Sequence, residues 1–154
     1  MIRRTTLVAC TEFVLAGGLA HGAPKASDSV VKASVNAGKP GQDGKQTVEV
    51  TLAIDKGYHL YANPNEAFPD SEVVVTASAA GKAMDVKVDY PKGTLVPASP
   101  PDIKAHHVYE GTVTIKVVVD RNKAGSKPID LNVQVHACNA NACLLPADIK
   151  LTVP

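Results

Sequence analysis

Two cysteines, Cys138 and Cys143, frame the run Cys-Asn-Ala-Asn-Ala-Cys near the C-terminal end of the chain. Cysteines five positions apart can meet across a hairpin at the separation a disulfide needs. Three chemistries then fit the pair. The first is a staple, although a loop this short removes only about 2 kcal/mol of unfolded-state freedom, against about 4.7 kcal/mol for a loop of about 100 residues. A bond confined to a hairpin tip is poorly placed to hold a fold and well placed for the second chemistry, exchange with another protein's sulfur. The third is a metal. His136-x-Cys138 with Cys143, joined by His106-His107 or His59, offers zinc or copper ligands. Adjacent thiols in an oxidising compartment tend to oxidise first, and no His or Met follows at blue-copper spacing, so no metal is expected. The spacing itself leaves all three open.

Other candidates are few. Gly57-Tyr58-His59-Leu60-Tyr61-Ala62-Asn63-Pro64 holds two of the four tyrosines. It reads as a strand continuation with one Tyr in the core. His106 and His107 read as a solvated loop pair. No Ser/His/Asp set, catalytic carboxylate pair or phosphate-cradling Gly loop stands out, and no cofactor is expected. No Lys or Arg lies close to the cysteines in sequence to depress a thiol pKa, so a sluggish free thiol, activated on docking, is expected.

The elements that must carry these residues are strands. Val48, Val50, Leu52 and Ile54 alternate with polar or small residues, as do Met84, Val86, Val88 and Tyr90, and Val113, Ile115, Val117 and Val119. The cleanest run is Ile129, Leu131, Val133, Val135 and Ala137, facing Asp130, Asn132, Gln134 and His136. Ile149, Leu151 and Val153 close the chain, and residues 31–35 and 73–76 are shorter candidates. This two-residue period marks half-buried strands. Gly and Pro punctuate at Gly38 to Gly44, Asn63-Pro64-Asn65, Pro91-Lys92-Gly93, Pro97 to Pro101 and Gly125 to Pro128. No helical apolar stripe of useful length appears. The expected fold is all-β: an immunoglobulin-like antiparallel β-sandwich of about seven to nine strands. Continuing the alternation past Ala137 puts Cys138 on the polar face with His136 and Gln134, within reach of solvent.

The N-terminus reads as an address. Arg3 and Arg4 precede an apolar run from Leu7 to Ala20 that ends in small residues, the pattern of a secretory signal peptide with cleavage between Ala20 and Ala23. The run falls short of the about 20 apolar residues that span a bilayer. Residues 1–20 are the expected signal, 21–28 a flexible tail and 29–154 the domain. Leu7-Val8-Ala9-Cys10 also fits a lipoprotein box, in which case Cys10 would anchor the protein to a membrane. Otherwise Cys10 leaves with the signal, and loss of Arg3, Arg4 and Glu12 takes the formal charge from +1 to zero. An exported chain sits where disulfides form. The charge balance and an aromatic content of 4% exclude a nucleic-acid platform and give no reason for an anionic membrane partner.

Taken in order, Gly57-Tyr58-His59-Leu60-Tyr61, Tyr90-Pro91-Lys92-Gly93, Val108-Tyr109-Glu110-Gly111 and Val135-His136-Ala137-Cys138 through Cys143-Leu144-Leu145-Pro146 resemble the N-terminal (alpha) domain of the thiol:disulfide interchange protein DsbD, over roughly residues 30 to 154. The resemblance implies an immunoglobulin-like fold in the bacterial periplasm. It implies a Cys138/Cys143 pair that cycles between dithiol and disulfide, with Cys143 forming the mixed disulfide with partners. His59, Tyr61, Tyr109, Ile103 and His136 would line the site, and Pro97–Ala105 would be a loop that shields it. Two positions depart from the family pattern. Leu145-Pro146 stands where two prolines are common, and Ile103 where the shielding loop usually offers an aromatic. The implied partners are a thioredoxin-like domain or membrane electron carrier as donor and oxidised periplasmic proteins as acceptors. The membrane and thioredoxin-like domains of DsbD do not follow Pro154, so the donor is expected on another chain. The protein would then act as one component of a protein-disulfide reductase. The contrasting expectation is a secreted β-sandwich binding or structural domain in which the bond is only a staple.

Overall fold

The computed structural model describes residues 24–99 and 104–154. The expected signal peptide, Cys10, and Ile103 with residues 100–102 of the expected shielding loop lie outside the described residues. Twelve strands are seen among them: β1 (Val31–Ala37), β2 (Lys45–Ile54), β3 (His59–Tyr61), β4 (Val74–Ala79), β5 (Lys82–Met84), β6 (Lys87–Asp89), β7 (Thr94–Val96), β8 (His106–Tyr109), β9 (Thr112–Asp120), β10 (Ile129–Val135), β11 (Ala137–Cys138) and β12 (Ala147–Val153). The count exceeds the expected seven to nine because several strands are only two or three residues long.

The strands form three antiparallel four-stranded sheets, ordered β1-β2-β9-β6, β12-β10-β4-β5 and β11-β3-β8-β7. The first two make an immunoglobulin-like sandwich. Val48, Val50 and Leu52 of β2 and Ile115, Val117 and Val119 of β9 are buried with Val75 of β4 and Ile129, Leu131, Val133 and Val135 of β10 in one apolar core. β-branched residues suit these positions because they pack well on a pleated surface. Each such side chain, fully buried, contributes about 1.5–3 kcal/mol.

The alternation read in the sequence is the inward-facing row of each long strand. Along β10 every second residue from Ile129 to Val135 is buried. One run behaves differently. Met84 to Tyr90 reads as a single strand, but it is split between β5, which pairs with β4, and β6, which pairs with β9. The chain crosses from one sheet to the other at Asp85-Val86 while Met84, Val86, Val88 and Tyr90 keep packing on the core. A period of two records which side is buried, not which sheet the strand joins.

The third sheet caps one end of the sandwich and is built largely by strands that change sheets. β10 passes into β11 through His136 alone, and β8 passes into β9 through Glu110-Gly111. Gly111 has φ +64°, a conformation open to glycine at little cost. On the far side Gly93 has φ +72°, and a Cβ there would sit 2.6 Å from the Val108 carbonyl oxygen and 3.2 Å from the Tyr109 ring. That close approach lets β7 pair with β8.

The N-terminal segment is tied to this end. Residues 21–28 read as a loose tail, but Ala26 bridges Leu145, the Leu145 N–H donates to the Lys25 carbonyl at 3.2 Å, and Ser27 lies in a short 3-10 turn with no exposed surface. Partners more than a hundred residues away hold it, which local composition could not show.

Candidate functional site

β10 and β12 run antiparallel from Ile129↔Val153 to Val135↔Ala147, and the cysteines sit beyond the end of that pairing. After His136 the chain pairs anew, with Ala137 opposite Leu60 and Cys138 opposite His59. Cys138 and Cys143 are themselves bridge partners, with Cα atoms 3.9 Å apart and their sulfurs joined in a disulfide. The turn between them is closed locally. The Asn139 side-chain oxygen accepts from the Asn141 and Ala142 N–H groups at 2.9 Å, and the Asn139 N–H donates to the Ala142 carbonyl at 2.9 Å. An Asn that caps its own turn in this way is a strong local turn former.

A second device joins the arms. The Ser27 hydroxyl donates to the Leu145 carbonyl at 2.7 Å and accepts from the Ala137 N–H at 2.9 Å. One buried serine therefore clamps the residue before Cys138 to a residue after Cys143. The Leu144 N–H adds a bond of 2.8 Å to the Ala137 carbonyl.

The disulfide is asymmetric. Cys138 is 2% exposed, whereas Cys143 is open to solvent. This corrects the expectation that Cys138 is reachable. The alternation is right about direction: Ala137, Leu60 and Tyr109 form one row across the third sheet, and all three belong to the main core, whereas Cys138 does not. The opposite face, however, is not open to water. Val108, on the same face as Cys138, is also buried.

That face carries a cluster of rings. His59 and Tyr61 meet edge to face with centroids 5.5 Å apart. Phe68 stacks on Tyr61 at 4.5 Å, and His106 packs against both, at 5.6 Å from Tyr61 and 5.1 Å from Phe68. Phe68 is brought in by the 62–72 segment. The buried Asn65 organises it, its side-chain oxygen accepting from the Ala67 and Phe68 N–H groups at 3.1 Å. His106 is thus not a solvated loop residue, as its sequence context suggests, but a strand residue in an aromatic contact. Burial lowers the pKa of His59, the nearby Glu110 opposes that shift, and His106 adds to it. Burial also raises the pKa of Tyr61.

His136 stands at the junction of β10 and β11. Its Nδ1 is 3.1 Å from the Ser71 hydroxyl. One nitrogen of its ring and the two sulfurs all lie within 4.8 Å of one another. By contrast, a cavity of about 810 Å³ on the second sheet, beside the polar row Thr76, Asn132 and Lys150, contains neither cysteine.

Comparison with known proteins bears directly on this hairpin. The sequence profile of the family described as "Thiol:disulfide interchange protein DsbD, N-terminal" matches residues 27–153. The chain belongs to the DsbD N-terminal domain family. Among solved structures it is similar to the N-terminal periplasmic domain of ScsB from Proteus mirabilis, with a TM-score of 0.61 and 14% identity over 81% of this chain and 46% of that one. The chain thus spans less than half of that structure, and at this identity the likeness is one of fold. The DsbD N-terminal domain of Neisseria meningitidis, in the reduced form, gives a TM-score of 0.49 and 18% identity over 82% of this chain and 86% of that one. No curated protein sequence matches the chain.

With DsbD N-terminal membership and a disulfide-forming pair, the domain is a thiol–disulfide exchange module in general type. Of the residues expected to line its site, His59, Tyr61 and His136 lie on or beside the cysteine-bearing hairpin or its face. Tyr109 does not. It points into the core, 2% exposed, and its hydroxyl donates to the Pro91 carbonyl at 2.7 Å. Burial holds its pKa up at about 12, despite an opposing contribution from the Asn63 backbone. The reason is register: Tyr109 is opposite Leu60, one step out of phase with Cys138. Sequence reasoning missed Ser27, Ser71, Phe68 and Asn139. Only Asn139, inside the Cys-x4-Cys turn, carried a local signal.

Proposed function

We propose that this protein is a periplasmic thiol–disulfide exchange module, passing reducing equivalents from a thioredoxin-like donor to oxidised periplasmic proteins. The asymmetry of the disulfide supports this reading: Cys143 is open to solvent, whereas Cys138 is buried. Attack on a disulfide needs access to one sulfur and a leaving thiolate at the other.

In the loading half-cycle a donor thiolate attacks the Sγ of Cys143, the solvent-exposed cysteine of the pair. The S–S bond breaks, its electron pair leaves on Cys138, and a mixed disulfide joins Cys143 to the donor. The donor's second thiolate then attacks its own partnered sulfur and departs as a disulfide. Cys138 and Cys143 are left as a dithiol after uptake of two protons. In the unloading half-cycle the Cys143 thiolate attacks the acceptor's disulfide, and the Cys138 thiolate then attacks Cys143 Sγ and releases the acceptor reduced. Through both halves the clamp of Ser27 on Ala137 and Leu145 keeps the two sulfurs facing each other. The exposed Leu145, next but one to Cys143, gives an incoming partner an apolar foothold.

The staple role is a poor match for the same geometry. The hairpin is already closed by backbone bonds, by Asn139 and by Ser27, so the S–S bond adds only about 2 kcal/mol of chain restriction to a turn that forms without it. Trapping with Cys138→Ala in the periplasm is the decisive experiment. Disulfide-linked adducts through Cys143 with thioredoxin-like or oxidised periplasmic proteins are expected. Absence of adducts, together with a reduction potential below about −300 mV instead of about −270 to −120 mV, would establish the staple.

A further inference from the structure

The hairpin holds a third donor that disulfide exchange does not consume. One imidazole nitrogen of His136 and the sulfurs of Cys138 and Cys143 lie within 4.8 Å of one another, and among the described residues no fourth His, Cys, Asp or Glu joins them. The contacts that keep these groups together do not depend on the S–S bond. Leu144 N–H to Ala137 carbonyl, the Asn139 turn and the Ser27 clamp would all persist after reduction. His136 is also oriented, because its Nδ1 is engaged by Ser71 at 3.1 Å. A hydrogen bond to one ring nitrogen sets the direction of the other and strengthens it as a ligand.

We propose that the reduced domain binds one Cu(I) ion between the thiolates of Cys138 and Cys143 and an imidazole nitrogen of His136. Thiolates select soft metals, Cu(I) foremost among them. Three donors suit the low coordination numbers of Cu(I), while a structural zinc site calls for four. The balance is simple. Reduction of the disulfide by a dithiol donor adds two electrons and two protons and oxidises that donor to its disulfide. Cu(I) then displaces the two thiol protons with no further change of oxidation state. Copper and the disulfide are mutually exclusive, so a copper-loaded pair is withdrawn from exchange. The site rests on the exchange reading only in needing a pair that can be reduced.

The test uses the full chain with Cys10→Ser, so that the thiol count reports on the pair. The protein is reduced with a phosphine, and reduction is verified by a count of two thiols before any metal is added. Cu(I) is then titrated anaerobically against a chromophoric chelator. One Cu(I) per reduced chain is expected and none per oxidised chain, with two sulfur and one nitrogen scatterers by X-ray absorption. His136→Gln should weaken binding at least about tenfold with both thiols still counted. Ser71→Ala, which leaves the hairpin backbone untouched, should weaken it by a smaller factor. Unchanged affinity in both variants, equal binding by the oxidised protein, or tighter retention of Zn(II) than of Cu(I) would overturn the site. A pair that resists reduction overturns both this site and the exchange reading, whereas a reduced pair that takes no copper overturns this site alone.

Discussion

The sandwich and the sheet that caps it are stabilised by different means. In the sandwich, β2 and β9 pair over nine residues and β10 and β12 over seven, and the buried rows between the sheets are valine, leucine, isoleucine and alanine. No single contact there is unique, and the attraction scales with the area removed from water. In the cap, β3 and β8 pair at two positions and β11 and β3 at two. Order there rests on single polar side chains: Ser27 on the hairpin, Asn139 in its turn, Asn65 under Phe68, Ser71 on His136. Under the proposed exchange function, a region that opens one S–S bond and remakes it would benefit from being held by directional bonds on a closely packed foundation. The difference teaches that stability and reactivity are assigned to separate parts of one small domain.

The contrast can be broken most forcefully in the sandwich. Leu131→Ala should lower the unfolding free energy by about 2–5 kcal/mol, because it empties a site in a close-packed core. Urea denaturation would show this, and the reduction potential of the pair should stay unchanged. A shift in potential as large as the change in stability would mean that the two regions are not separate.

Ser27→Ala comes next. It leaves the buried Ala137 N–H without its acceptor and should cost about 1–3 kcal/mol. Here the potential should rise along with the stability loss, because the clamp that holds the sulfurs together is gone. Amide exchange at Ala137 and equilibration with glutathione buffers measure the two effects. Asn139→Ala removes two bonds from an exposed turn and should cost about 1 kcal/mol or less, again with a more easily reduced pair.

The smallest effect is one of pH. Burial depresses the pKa of His59 below its ordinary 6.5, so the unfolded chain binds this proton before the folded one does. Stability therefore rises with pH in the window from the depressed folded value up to about 6.5 and falls on acidification through it. Replacing His59 with Gln should flatten that part of the stability profile, measured by denaturant titration between pH 5 and 7. An unchanged slope would show that the cap does not feel this titration. At the other extreme Tyr109 should ionise at about pH 12 in a spectrophotometric titration.

How much could be read in advance follows the same division. The inward rows of β2, β9 and β10 are legible because alternation is a local property of a strand and a single core enforces it. The split of residues 84–90 between two sheets was not, since both halves keep the same buried side. Tyr109 shows the limit for the site. The family resemblance implies a place for it beside the cysteines, whereas its pairing with Leu60 turns it into the core. His106 shows the reverse, a polar residue in a polar stretch that is drawn into a ring cluster by Phe68, 38 positions away in the sequence.

What the amino-acid order determined by itself was the chemistry and the class of fold: a strand period of two, turns at Gly and Pro, and two cysteines placed to meet in a hairpin. Each of these is set by residues within a few positions of one another. Which of the two cysteines is exposed was decided by tertiary structure alone. Cys138 is buried although it lies on the face opposite the main core, and the hairpin is locked by Ser27, whose partner Leu145 is 118 residues distant. Burial and long-range hydrogen bonds are properties of surfaces brought together by folding, and no local pattern encodes them.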